Sequence, residues 1–269
     1  MVIGAVAAVA LFFAAIFVYA NFINDSPDAL DETDLSDALV ATTAPEVAVT
    51  EAPGTTAATD ETAPTESAAP TSEVPTSEVP TSDVPGSGVP ASGADESFDG
   101  DWVPTTASEF GYRVEEVLAG VNTTAVGRSN EIEGILTIEG TSATVVDITV
   151  QVENITSDES RRDSQFRGSI MNAAEFPTAE FRITEPIDFG QIPVGDEQIT
   201  VPATGELTLR GVTNPVTFDV TAQTTDGRIG VLGSIPVLFE DYGIEYPSFG
   251  VVATEDNGLV EFVLVFERA

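Results

Sequence analysis

The chain contains no cysteine, no histidine and no lysine. Without cysteine there is no disulfide framework, thiol nucleophile, iron–sulfur cluster or thiolate zinc site. Without histidine there is no Ser-His-Asp triad and no imidazole-ligated metal. All nine basic residues are arginine, set against 45 Asp and Glu for a net charge of −36 over 269 residues. Phosphate binding needs clustered positive charge, so nucleic acid is not expected as a partner. Carboxylates abound, yet no spacing selects a catalytic pair. Asp95, Asp99 and Asp101 lie close together without an EF-hand pattern. No catalytic residue, metal or cofactor is expected.

What is present falls into three regions. The first, residues 1–23, holds Val2 to Ala20, nineteen residues with no charge and no proline. As a helix at ~1.5 Å per residue they would span about 29 Å, close to the ~30 Å hydrocarbon core of a bilayer. The run fits a transmembrane helix or a long signal peptide. Its length and the lack of a basic leader favour an uncleaved anchor. The second region, residues 24–97, is rich in Ala, Thr, Ser, Pro and acid. It contains a five-residue repeat beginning at Pro70, Pro75 and Pro80. Proline at every fifth place blocks helix and sheet ladders, and the acid repels itself, so a disordered stalk is expected. Residues 21–97 would span about 50 Å as a random coil and about 230 Å when extended. That is enough to hold a domain clear of a membrane.

Residues 98–269 carry the folded part. Val146, Ile148, Val150 and Val152 alternate with polar residues, as do Leu207 and Leu209, and Val216, Phe218 and Val220. Phe262, Leu264 and Phe266 continue the pattern, and Ile229 to Phe239 is apolar on both faces. About eight such segments, divided by Gly, Pro, Asn and Asp, indicate an antiparallel sandwich or closed barrel. One stretch breaks the period. Thr156-Ser-Asp-Glu159 reads as a capping box opening a helix through about Met171, supported by Asp158–Arg162 and Asp163–Arg167 spacing.

Several segments then carry a resemblance. Trp102 is followed by Ser108 and Phe110, and Val126-Gly127 by Gly134-Ile135. Arg162-Asp163 stands on the expected helix, and Phe176-Pro-Thr-Ala-Glu-Phe181 follows it. Gly205-Glu-Leu-Thr-Leu-Arg-Gly-Val-Thr-Asn-Pro-Val216 and Asp241-Tyr-Gly-Ile244 complete the series. In this order they resemble the YceI-like family of bacterial lipid- and polyisoprenoid-binding domains, over about residues 100–269. The chain departs from the family at Ala107, where histidine is frequent, and at Glu240, where a basic residue is frequent.

The resemblance implies an all-β fold, a lipocalin-like extended antiparallel barrel with one short helix and an apolar channel for an isoprenoid chain. Alternation alone produces an apolar interior whether it is packed solid or open, and places solid packing first. The resemblance reverses that order. The candidate lining residues are Phe110, Tyr112, Leu136, Ile148, Phe181, Leu209, Phe218, Phe239 and Phe262, with plain core packing as the competing reading for each. Arg162 and Asp163 would either pin the helix to the barrel or meet a polar head group. The expected function is non-enzymatic storage or carriage of an isoprenoid or similar long-chain lipid. The domain would be held outside the cell membrane by a single pass, or secreted if the apolar run is cleaved. A ligand-free structural or adhesive surface module is the alternative.

Overall fold

The computed structural model describes residues 26–41, 97–118, 120–245, 248–249 and 252–269. The apolar run Val2–Ala20 and the proline repeat lie outside them. Among the described residues no helix is long and apolar enough to cross a membrane.

The period-2 segments become strands. In chain order they are β1 (Gly100–Pro104), β2 (Glu109–Leu118), β3 (Val121–Ser129), β4 (Ile132–Glu139), β5 (Ser142–Gln151), β6 (Thr156–Ser157) and β7 (Thr178–Ile183). Then follow β8 (Ile187–Asp188), β9 (Ile199–Leu209), β10 (Val212–Thr225), β11 (Arg228–Leu238), β12 (Ser248–Phe249), β13 (Val252–Thr254) and β14 (Asn257–Arg268). Eight of them close a barrel in the order β1-β4-β5-β7-β9-β10-β11-β14, with β14 pairing back to β1. All these pairs are antiparallel. Two-residue turns with left-handed backbone, Arg210-Gly211 and Asp226-Gly227, join β9 to β10 and β10 to β11. A positive φ at both central positions suits the twist of a hairpin.

β14 has two successive partners on one edge. Leu259–Val263 pair with β2, and Phe266–Arg268 pair with β1. β2 continues past the end of this pairing into a long hairpin with β3. The barrel therefore closes fully at the β1 end and flares at the β2–β3 end.

The helix following Ser157 is shorter and starts later than the capping pattern predicts. Thr156 and Ser157 form β6 against β3. The cap is Glu159, whose side chain accepts from the Arg161 amide, and α2 runs Ser160–Gln165 before a π-helical turn, Phe166–Ile170. Asp158 does pair with Arg162. Asp163 instead turns inward, where its carboxylate accepts from the Ser157 amide (2.8 Å) and hydroxyl (2.6 Å). A nearby strand end offers two donors to a group only 7% exposed, which outweighs a solvated contact with Arg167.

A second helix was not expected. Residues Glu32–Ala41, assigned by composition to the stalk, form α1. Asp31 caps it by accepting from the amides of Thr33 (2.7 Å) and Asp34, while Asp34 accepts from the Asp31 amide (2.8 Å). Leu35 and Leu39, one turn apart, are fully buried against Val263 and Val265 on the outer face of β14, with Leu232 and Ala107 alongside. Gly230 makes the room, since a Cβ there would fall 2.7 Å from Leu35 Cδ1. Most of the helix's stability therefore comes from the barrel rather than from its acidic sequence.

Candidate functional site: an apolar hollow with a polar mouth

The inward faces of the barrel strands enclose space. One cavity of about 140 Å³ occupies the β1 end, and a second of about 130 Å³ lies toward the β2–β3 hairpin. Each is roughly ten times the smallest void that admits a water molecule. Phe110, Val150, Ala179, Leu209 and Val260 line both, so the two cavities adjoin. The interior holds open space rather than being packed solid.

All nine candidate side chains stand on these walls. Leu136, Ile148, Phe181, Phe218 and Phe262 line the first cavity, Tyr112 and Phe239 the second, and Phe110 and Leu209 both. Phe218 packs edge-on against Phe181 (5.5 Å between ring centres) and Phe262 (6.0 Å), forming an aromatic band across the barrel. Glycines seat these rings. A Cβ at Gly205 would lie 2.7 Å from the Phe181 ring, and one at Gly233 would lie 2.4 Å from Phe262. At the closed end, Trp102 is 2% exposed, stacks on Phe98 and donates from its indole to the Phe98 carbonyl (2.9 Å). The Gln191–Pro193 loop crosses this end, held by the Thr224 hydroxyl bonding to the Pro193 carbonyl.

The other end is different in character. Phe166, Ile170 and Met171 from the helical turn form one wall of the second cavity, and Phe166 stacks on Tyr112 with ring centres 4.6 Å apart. Beside them Glu116 and Arg162 face the same space, 3.9 Å apart, with Asp158 on the far side of the guanidinium. Burial pushes the Tyr112 hydroxyl up to about 12. Burial also raises the Glu116 carboxyl, against the pull of Arg162. Burial alone would lower Arg162, but the Asp158 and Glu116 carboxylates outweigh it and hold the guanidinium above its ordinary value. Of the two candidate helix residues, Asp163 bonds the helix to β6, and Arg162 reaches the mouth. Glu116 was missed in the sequence, although Phe110, Tyr112 and Val114 place it next on the same inward face.

The motif segments meet around this end. The Phe176 ring covers Gly211, where a Cβ would fall 2.6 Å from it. Arg210 donates to the Gly243 carbonyl, and Asn214 donates to the Asp241 carbonyl (2.8 Å). These contacts brace the turn at Phe239–Tyr242, which carries Phe239 into the cavity.

Among the described residues no cluster of acidic side chains could hold a metal ion. Asp99 and Asp101 are engaged by the Gly140 amide (2.6 Å) and the Thr137 hydroxyl (2.7 Å). The large exposed apolar residues among those described, Val40, Val145, Val194, Val212 and Leu238, are scattered over separate elements.

A UPF0312 protein of Shewanella denitrificans is 33% identical over 129 residues, covering 45% of this chain and 64% of the relative. A UPF0312 protein of Pseudomonas aeruginosa is 32% identical over 128 residues, covering 44% and 63%. The chain thus spans somewhat under two thirds of the length of these relatives. Among solved structures, a polyisoprenoid-binding domain from Saccharophagus degradans implicated in plant cell wall breakdown superposes with a TM-score of 0.51 at 20% identity. That match covers 63% of this chain and 98% of that domain, and shows a shared fold. The family model for the YceI-like domain matches residues 103–266, well over half of the chain. The chain belongs to the YceI-like domain family.

Proposed function

We propose that the barrel binds an isoprenoid or similar amphiphilic lipid. The tail would lie in the apolar hollow, and the head beside Glu116 and Arg162. The observation that carries this reading is the pair of adjoining apolar cavities inside the barrel, with aromatic side chains along their walls. A tail entering from water would gain ~0.8 kcal/mol per CH₂-sized group. A tail entering from a bilayer gains almost nothing per carbon, because both surroundings are apolar. Selectivity then rests on the shape of the hollow and on the charged mouth, and capture rests on proximity to the membrane. The apolar run Val2–Ala20, read as a single-pass anchor, would supply that proximity, with the barrel outside the cell membrane. Such a carrier needs no catalytic group.

The test is direct. The full chain, purified from a lipid-containing host, is extracted with organic solvent and the extract weighed by mass spectrometry; about one long-chain lipid per protein is expected. Ala179 sits where the two cavities adjoin, 7% exposed. Ala179→Trp should fill that space and cut bound lipid at least fivefold while the far-ultraviolet spectrum keeps its β signature. Absence of lipid from the unaltered chain, or full retention in a folded Ala179→Trp, would overturn the proposal.

A further inference from the structure

The segment that carries α1 runs the length of the barrel wall, and its two ends lie at opposite ends of the hollow. At one end the Ser26 hydroxyl bonds to the Thr124 carbonyl, and Arg113 donates to the Pro27 carbonyl (2.7 Å). Thr124 is one register position from the Glu116–Thr123 pair, so residue 26 lies beside the mouth. At the other end Arg228, next to the Asp226-Gly227 turn, donates to the Leu39 carbonyl (3.4 Å). The chain re-enters the barrel at that same end. Arg268 donates to the Ser97 carbonyl (2.5 Å), and its neighbour Phe266 pairs with Ile229 beside Arg228.

Residues 42–96 thus join two points of the chain, Leu39 and Ser97, that both lie at the closed end of the barrel. They do not stand between the barrel and the apolar run. Only residues 21–25 do, and five residues reach at most about 18 Å. We propose that α1 and the short arm before it form a clamp that holds the barrel close against the bilayer. The Glu116–Arg162 mouth then faces the membrane. This rests on the reading of Val2–Ala20 as a membrane anchor and is independent of what fills the barrel.

Several features make the clamp specific. Leu35 and Leu39 are both fully buried. Gln198 donates to the Glu32 carbonyl (3.2 Å) and to Gln223 (3.0 Å), and Ser36 donates to that same Gln223 oxygen (3.1 Å). Glu261, 2% exposed under the arm, holds the Arg113 that grips Pro27. Ala107, small enough to lie under the helix, packs in the same cluster.

Because the chain has no cysteine, single labels are simple to place. Full-length protein is inserted into phosphatidylcholine vesicles containing an acceptor dye on the headgroup, with a donor dye on Asn122→Cys at the mouth end or Glu139→Cys at the closed end. Energy transfer to the membrane should be several-fold stronger from position 122. Replacing residues 46–95 by ten Gly/Ser residues should leave that transfer unchanged. The double variant Leu35→Asp, Leu39→Asp should lower it toward the value at position 139. Equal transfer from both positions, failure of the chain to float with the vesicles, or a marked rise on shortening residues 46–95 would each overturn the clamp. Should the double variant unfold, the shortened chain decides the matter alone. Lipid extracted from the same samples separates the two proposals, since bound lipid with equal transfer removes the clamp and leaves carriage standing.

Discussion

Ser108 sits where the edge of β14 passes from β2 to β1, beside Val265, which pairs with Gly230 of β11 on its other edge but with neither β2 nor β1. Its hydroxyl accepts from the Val265 amide (2.9 Å) and donates to the Val265 carbonyl (3.2 Å), and the Thr105 amide donates to that same carbonyl (2.7 Å). At 1% exposure no water can replace it. Ser108→Ala should cost about 1–3 kcal/mol, the penalty of a buried amide without an acceptor, read as a lower urea midpoint. Glu116 gives a pH-dependent counterpart. Its folded-state carboxyl is raised above the ordinary value of 4.5, so the unfolded chain ionises it more readily and folding favours the protonated form. That contribution is present at low pH and is lost as pH rises from the unfolded value through the folded one. Melts of Glu116→Gln and the unaltered protein should therefore diverge over this window, with the variant gaining relative stability as pH rises. A constant offset would show that Glu116 is not held as described.

At the scale of an element, α1 and β14 explain each other. The alternation of β14 is imperfect because Val263 and Val265 are as buried as Phe262's neighbours inside, covered by Leu35 and Leu39. Gly230→Val suits a strand by propensity, yet its side chain must enter the space of those leucines. We expect α1 to undock, with protease cutting appearing within residues 26–41 while the barrel's melting temperature changes little. The same logic shows why this helix was illegible in the sequence. Asp31, Asp34, Leu35 and Leu39 are a cap and an i, i+4 pair, but nothing local says which surface the pair will meet. The helix over 156–171 was legible as an element and misread at its start, because the competing donors of Ser157 became visible only when β6 paired with β3.

For the whole molecule, charge sets the conditions. Residues 98–269 hold 29 acidic groups against nine arginines, and several arginines are already committed: Arg113 and Arg128 to Glu261, Arg162 to Asp158, Arg182 to Asp147. The remaining acid repels itself over the surface, and salt screens it. The melting temperature should rise by a few degrees between low and molar salt, measured by calorimetry at neutral pH. A fall would show that the ion pairs outweigh the repulsion. Eight of the nine lining residues were legible because each lies on an inward period-2 face, and a closed sheet sends every such face to one interior; Phe239 stands just past β11, in the turn Phe239–Tyr242. Whether that interior was solid or open lay beyond the pattern, since the same alternation serves both. The tertiary structure leaves two cavities inside, with Gly205 and Gly233 leaving room at the wall for the Phe181 and Phe262 rings. Composition determined that no thiol or imidazole chemistry resides here, and periodicity determined an antiparallel sandwich or closed barrel. Only the tertiary structure decided that the sheet is hollow, that its mouth carries Glu116 and Arg162, and that an acidic stretch far up the chain folds onto its wall. These depend on which distant segments meet, and contacts between segments remote in sequence leave no local trace in either of them.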